Sequence, residues 1–264
     1  KEFIATQGPK EETILDFWNM IWENNVKLIV MVTGTVENTV KKCSNYWPIG
    51  PTTEKIINNN DFIVINIGSE LIGDYCVVTT LKLKKKEKEK VIKHLWFTNY
   101  NEQGIPNENG LWPDHGAPKM GTLSWNNTHN FMQYVRKERK KLRENEKTLV
   151  HCSAGVGRTG TIIAIQIGLD KKDDKENRLK DSLEETLLLT IFLRLQRNFS
   201  MVQHLEQFKF IKEYIDYIKQ LSGINVGGGI SRKRRRLIYK KSKKSKKSKK
   251  YKKSKNSKKI KENN

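Results

Sequence analysis

The chain has 264 residues, 51 of them Lys or Arg and 29 Asp or Glu, for a formal net charge of +22. A hydrophobic content of 36% with six Trp is enough for a real core, which excludes wholesale disorder, and the length suits one large domain or two small ones. No run approaches the ~18 uninterrupted apolar residues of a membrane span, and the first residues lack the pattern of a secretory signal.

In chain order, Ile14, Leu15, Phe17, Trp18, Ile21 and Trp22 recur at spacings of three and four, which predicts an amphipathic helix over 11–24. The β-branched run Leu28-Ile29-Val30-Met31-Val32 predicts a buried strand. Further strands are expected at Phe62–Ile67, Tyr75–Leu83 and Val91–Phe97, with Lys84–Lys90 as a solvated hairpin. Residues 99–111 are rich in turn formers and read as a long loop. Helical patterns follow at 125–143, 158–170, 181–195 and 204–222, with a short strand at Thr148–His151. Strands mixed with helices give an α/β domain. We expect a twisted mixed central β-sheet flanked by α-helices.

Charge is uneven. Residues 231–264 hold 19 Lys or Arg and one acid, so +18 of the net +22 lies there and +4 on residues 1–230. Like charges at that density repel and little there is apolar, so this tail is expected to be disordered, behind a Gly-rich linker at 224–230. Nucleic acid, import receptors and anionic lipid are the partners its charge allows. Cys43, Cys76 and Cys152 are an odd number at wide spacing. They form no disulfide framework and no zinc pattern, and they fit a reducing, intracellular setting.

The run His151-Cys152-Ser153-Ala154-Gly155-Val156-Gly157-Arg158-Thr159-Gly160 carries the chemistry. It lies between a short apolar strand and an apolar helix. Small residues and glycines there let successive N–H groups turn inward at a helix N-terminus, a cradle that suits phosphate. The helix dipole, the converging amides and Arg158 favour Cys152 in its nucleophilic thiolate form. The planar fork of Arg158 can bind two phosphoryl oxygens at once.

These ten positions resemble the signature loop of the protein tyrosine phosphatases, Cys-x5-Arg followed by Ser or Thr. Thr6-Gln7-Gly8-Pro9, Lys42-Cys43-Ser44-Asn45-Tyr46-Trp47-Pro48, the acid-loop motif Trp112-Pro113-Asp114-His115-Gly116, and Gln196-Arg197 with Met201-Val202-Gln203 and Gln207 match in the family's order. The resemblance implies that Cys152 attacks phosphorus and that Asp114 protonates the leaving tyrosyl oxygen. Gln203 positions the water, Thr159 stabilises the departing thiolate and His151 holds the electrostatics around Cys152. Ser153, Ala154, Gly155, Val156, Gly157 and Arg158, with Asp114 and Gln203, bind the substrate. No metal or other cofactor is implied, and phosphotyrosine proteins are the implied partners of a monomer.

The resemblance also sets limits. The catalytic domain is expected over 1–223, starting inside the family's domain and short of its phosphotyrosine-recognition loop, and 99–111 are an insertion before the acid loop. A phosphotyrosine-binding trap and a dual-specificity or phosphoinositide phosphatase are the alternative readings. Trp112-Pro113-Asp114 and Gln203 favour tyrosine.

Overall fold

A computed structural model of the chain describes residues 2–37, 39–58, 61–73, 75–98, 123–173, 179 and 181–221. The predicted loop at 99–111, the acid-loop motif and the basic tail lie outside the described residues. Lys1–Ser222 forms one compact unit.

The first element is one that periodicity does not announce, a four-residue strand β1 (Phe3–Thr6). A single 3-10 turn leads into helix α1 (Ile14–Glu23), which buries Ile14, Phe17, Trp18 and Ile21 on one face, as its spacing requires. Strand β2 (Val26–Met31) is buried at every position but Lys27. Two short pairing segments, β3 (Val36–Glu37) and β4 (Val40–Lys41), precede β5 (Glu54–Ile57), β6 (Phe62–Ile72), β7 (Cys76–Lys85) and β8 (Lys88–Phe97). Next come α2 (Leu123–Lys141), β9 (Lys147–His151), α3 (Gly157–Asp173), α4 (Ser182–Gln196) and α5 (Leu205–Leu221). The predicted helices and long strands are all present, with ends shifted by a few residues.

The sheet runs β1-β9-β2-β8-β7-β6-β5. Pairing from β1 through β9 and β2 to β8 is parallel, and from β8 to β5 antiparallel. Alternation along the parallel strands feeds two cores. Leu28, Val30 and Val150 face the side of α2, α3 and α5, with Phe131, Ile162 and Phe210. Ile29, Met31 and Leu149 face α1, with Trp18 and Tyr46. Burial on both faces explains why β2 and β9 are continuous apolar runs.

The lysine-rich hairpin closes at Lys85 opposite Lys88. It is not solvated along its whole length: Lys85 lies 4.6 Å over the Phe62 ring and Lys90 4.6 Å over Trp22, laying their stems on aromatic surface. Exposed apolar side chains gather on α4 instead, at Leu187, Ile191, Phe192 and Leu195.

The parallel strands end level with one another. Thr6 pairs with His151, His151 with Met31, and Met31 with Trp96. The segments that leave these carboxyl ends therefore share one edge of the sheet, where open α/β sheets place their ligands.

Candidate active site

Cys152 is the first residue beyond β9, and α3 starts at Gly157. The turn between them is held in a shape that requires a glycine. Gly155 has φ of 74°, and a Cβ on it would fall on the Thr6 carbonyl. That geometry aims the Gly155 N–H at Cys152 Sγ, 3.2 Å away, which supplies one donor of the expected cradle. Gly8 N–H donates to the Ser153 carbonyl at 2.9 Å, and Ser153 Oγ donates to the Lys42 carbonyl at 2.9 Å. The three separated motifs thus converge on one loop.

Arg158 opens α3 and is 3% exposed. Its Nη1 and Nη2 donate to the two carboxylate oxygens of Glu37 at 2.7 and 2.9 Å, a bidentate pair that fixes the guanidinium plane. Glu37 is itself held by Thr33 Oγ1 at 3.0 Å and the Gly34 N–H at 2.9 Å. Sequence reasoning missed Glu37, since nothing local distinguishes it. The signal that could have found it is indirect: a buried arginine needs a buried carboxylate.

A cavity of about 260 Å³ opens over the loop, lined by Lys42, Cys152, Ser153, Ala154, Gly157, Arg158, Gln203, His204 and Gln207. Gln203 and Gln207 reach across from the approach to α5 and from its first turn. A Cβ on Gly157 would lie 2.9 Å from Gln207 Nε2 and 3.4 Å from Gln203 Oε1, so the glycine makes room for both amides. Gln207 Oε1 also accepts from the His204 N–H at 3.2 Å. Lys42 and Gln207 stood in the matching motifs but had no role assigned; both line the cavity.

Thr159 is fully buried, and its hydroxyl has no hydrogen-bond partner among the described residues. His151 stands behind the loop, fully buried, and burial lowers it to about 4, so the ring is neutral. Cys43 is walled in near the cradle: its Sγ lies 3.0 Å from where a Gly8 Cβ would be, and burial raises its thiol to about 12. Cys76 is raised by burial as well. All three cysteines are buried free thiols. The structure brings Cys152, Ser153, Ala154, Gly157, Arg158 and Gln203 to one cavity, with Gly155 and Val156 in the same loop. Asp114 lies outside the described residues.

A family model described as protein-tyrosine phosphatase matches residues 1–217. The chain belongs to the protein-tyrosine phosphatase family. Tyrosine-protein phosphatase non-receptor type 20 of Rattus norvegicus is 33% identical over 226 residues, 84% of this chain and 47% of that protein. Receptor-type tyrosine-protein phosphatase eta of Mus musculus is 34% identical over 217 residues, 81% of this chain and 15% of that protein. Tyrosine-protein phosphatase 1 of Dictyostelium discoideum is 34% identical over 182 residues, 66% of this chain and 32% of that protein. The chain therefore spans less than half the length of these curated phosphatases. No helix among the described residues is long and apolar enough to cross a membrane.

Proposed function

We propose that the chain hydrolyses phosphotyrosine in proteins through a cysteinyl-phosphate intermediate. The carrying observation is the joint placement of Cys152, whose Sγ accepts from the Gly155 N–H, and of the Glu37-clamped Arg158 at one small cavity on the carboxyl edge of the parallel strands. A thiolate there faces a phosphoryl group whose oxygens meet loop amides and a guanidinium of fixed plane. Those donors strengthen as charge spreads over the equatorial oxygens in the transition state.

In the first step Cys152 Sγ forms a bond to phosphorus, the phosphorus–oxygen bond to tyrosine breaks, and Asp114 gives its proton to the leaving oxygen. In the second, water attacks phosphorus, the sulfur–phosphorus bond breaks, and Asp114 takes the proton. Gln203, at the cavity wall, orients that water. The Thr159 hydroxyl, without a hydrogen-bond partner among the described residues, is the donor for the departing thiolate. We assign the catalytic domain to 1–223 and a linker to 224–230. The +18 segment beyond is a polyanion- or import-receptor-binding extension of an intracellular, partly nuclear monomer.

The test is steady-state hydrolysis of a phosphotyrosine peptide by the full chain, beside phosphothreonine and phosphoinositide substrates. Cys152→Ser abolishes turnover, and Asp114→Ala lowers kcat by about 10²–10⁴-fold. Peptide capture without turnover would sink the enzyme reading in favour of a trap. Deleting 231–264 leaves turnover unchanged and removes salt-sensitive binding to nucleic acid or anionic vesicles.

A further inference from the structure

Behind the cradle, on the α1 side of the sheet, three fully buried side chains meet at one hydroxyl. Tyr46 Oη lies 2.7 Å from His94 Nε2 and 2.7 Å from His151 Nε2. A tyrosyl oxygen has one proton, which can go to one of the rings or to Met31 Sδ, 3.8 Å away, and it accepts from a ring nitrogen that carries its own proton. The direction is settled at the far end. His151 Nδ1 lies 3.1 Å from the Cys152 carbonyl, which can only accept, so Nδ1 carries the proton and Nε2 of the neutral ring is the acceptor. Tyr46 therefore donates to His151, and His94 donates from Nε2 to Tyr46.

The remaining atom agrees. In that tautomer His94 Nδ1 bears a lone pair, and it is a buried atom with no hydrogen-bond partner among the described residues, as the head of such a chain requires. Burial lowers His94 well below its usual value, as it lowers His151, so both rings are neutral near pH 7. The His94 ring is held in place by Trp47, whose centroid lies 4.6 Å away with the planes 30° apart.

We propose that His94 is a positioning residue for the reaction at Cys152. By donating to Tyr46 it commits the tyrosyl proton to His151, and so keeps His151 in the Nδ1–H tautomer that grips the Cys152 carbonyl. Without His94, Tyr46 can accept from His151 instead. The ring then carries Nε2–H and turns a lone pair toward the Cys152 carbonyl. The Gly8 backbone packs so close to that carbonyl that even a Cβ there would stand 2.7 Å from it, so the carbonyl has little room to shift on that side. Repulsion there displaces the start of the loop, and with it the nucleophile. The role rests on the chemistry proposed above for Cys152.

The test is two-bond ¹H–¹⁵N NMR on the full chain labelled with ¹⁵N-histidine at pH 7, which reads each tautomer without substrate. His94 is expected as Nε2–H and His151 as Nδ1–H; the same tautomer in both rings overturns the proposal. His94→Leu should lose the single His151 tautomer and lower kcat/KM by about tenfold, within the range that small misplacements cost. His94→Gln, whose amide nitrogen can donate from near the same place, should recover both. A folded His94→Leu with unchanged tautomer and turnover overturns the role, as does a Gln variant no better than Leu. An inactive wild-type chain with the expected tautomers would overturn the phosphatase reading alone, and an active chain with the wrong ones would overturn this proposal alone.

Discussion

Arg158 does not reach the cavity as an unsupported cation. Both of its terminal nitrogens are gripped by Glu37 from the β3–β4 segment, and the pair is buried from water. A glutamine at 37 keeps the shape but faces one Arg158 nitrogen with an amide N–H, donor against donor, and leaves a buried charge without its partner. Breaking such a pair is strongly destabilising. For Glu37→Gln we expect kcat/KM on a phosphotyrosine peptide to fall about 10–100-fold, close to the strength of a charge-assisted bidentate contact. Steady-state kinetics that match wild type would show that other contacts fix the guanidinium. Gly155→Ala tests the loop itself. Its φ of 74° disfavours any Cβ, and the Thr6 carbonyl already occupies that space. Turnover should be lost, and urea unfolding should show a cost above the about 1–3 kcal/mol of an unfavourable backbone well alone. A variant of native stability and activity would mean that the β1 segment yields easily.

Between α4 and α5 the chain makes a tight excursion whose last residues bring Gln203 to the cavity. Val202 within it has φ of 56°, a conformation that a β-branched residue rarely adopts. Two elements impose it. The Val202 N–H donates to the Val156 carbonyl at 3.2 Å, while Arg194 on α4 donates from Nε to the Met201 carbonyl at 3.0 Å and from Nη2 to that of Val202 at 3.3 Å. Arg194→Met removes the second clamp without touching Cys152 or Arg158. If Gln203 serves the second step, rapid-quench kinetics should show an early burst of released tyrosine followed by slow turnover. Equal slowing of both phases would place the effect of Arg194 on the whole site. At this scale the sequence was legible where burial repeats. α1 and β2 follow from the spacing of Ile14, Phe17, Trp18 and Ile21 and from an unbroken apolar run. β1, β3, β4 and β5 did not, because edge or two-residue strands with half-exposed side chains carry no period-2 signal. Cys152 and Arg158 were legible because a phosphate cradle needs its residues contiguous. Glu37 and His94 were not, since each acts on a partner far away in the chain, Arg158 for Glu37 and, through Tyr46, His151 for His94, that only the folded structure brings close.

For the whole molecule the buried histidines set a pH dependence of stability. His151 titrates at about 4 in the folded state against 6.5 for the unperturbed ring, because burial disfavours its charged form, and His94 is lowered for the same reason. A folded value below the unfolded one means that between about 6.5 and 4 the unfolded chain binds protons that the native state refuses. Stability is then complete above about 6.5 and declines as pH falls toward 4. At 1.36 kcal/mol per unit, His151 alone accounts for a loss on the order of 3 kcal/mol across that window, and His94 adds to it with the same sign. Urea unfolding at pH 7.5 and at 5.0 should show a clear fall in midpoint at the lower pH. A Tyr46→Phe chain should keep that fall, since burial and not the hydroxyl causes it, whereas His151→Asn should reduce it to the part that His94 contributes. An unchanged midpoint at pH 5.0 would mean that water reaches these rings in the native state, and the buried His94-Tyr46-His151 chain would then have to be abandoned.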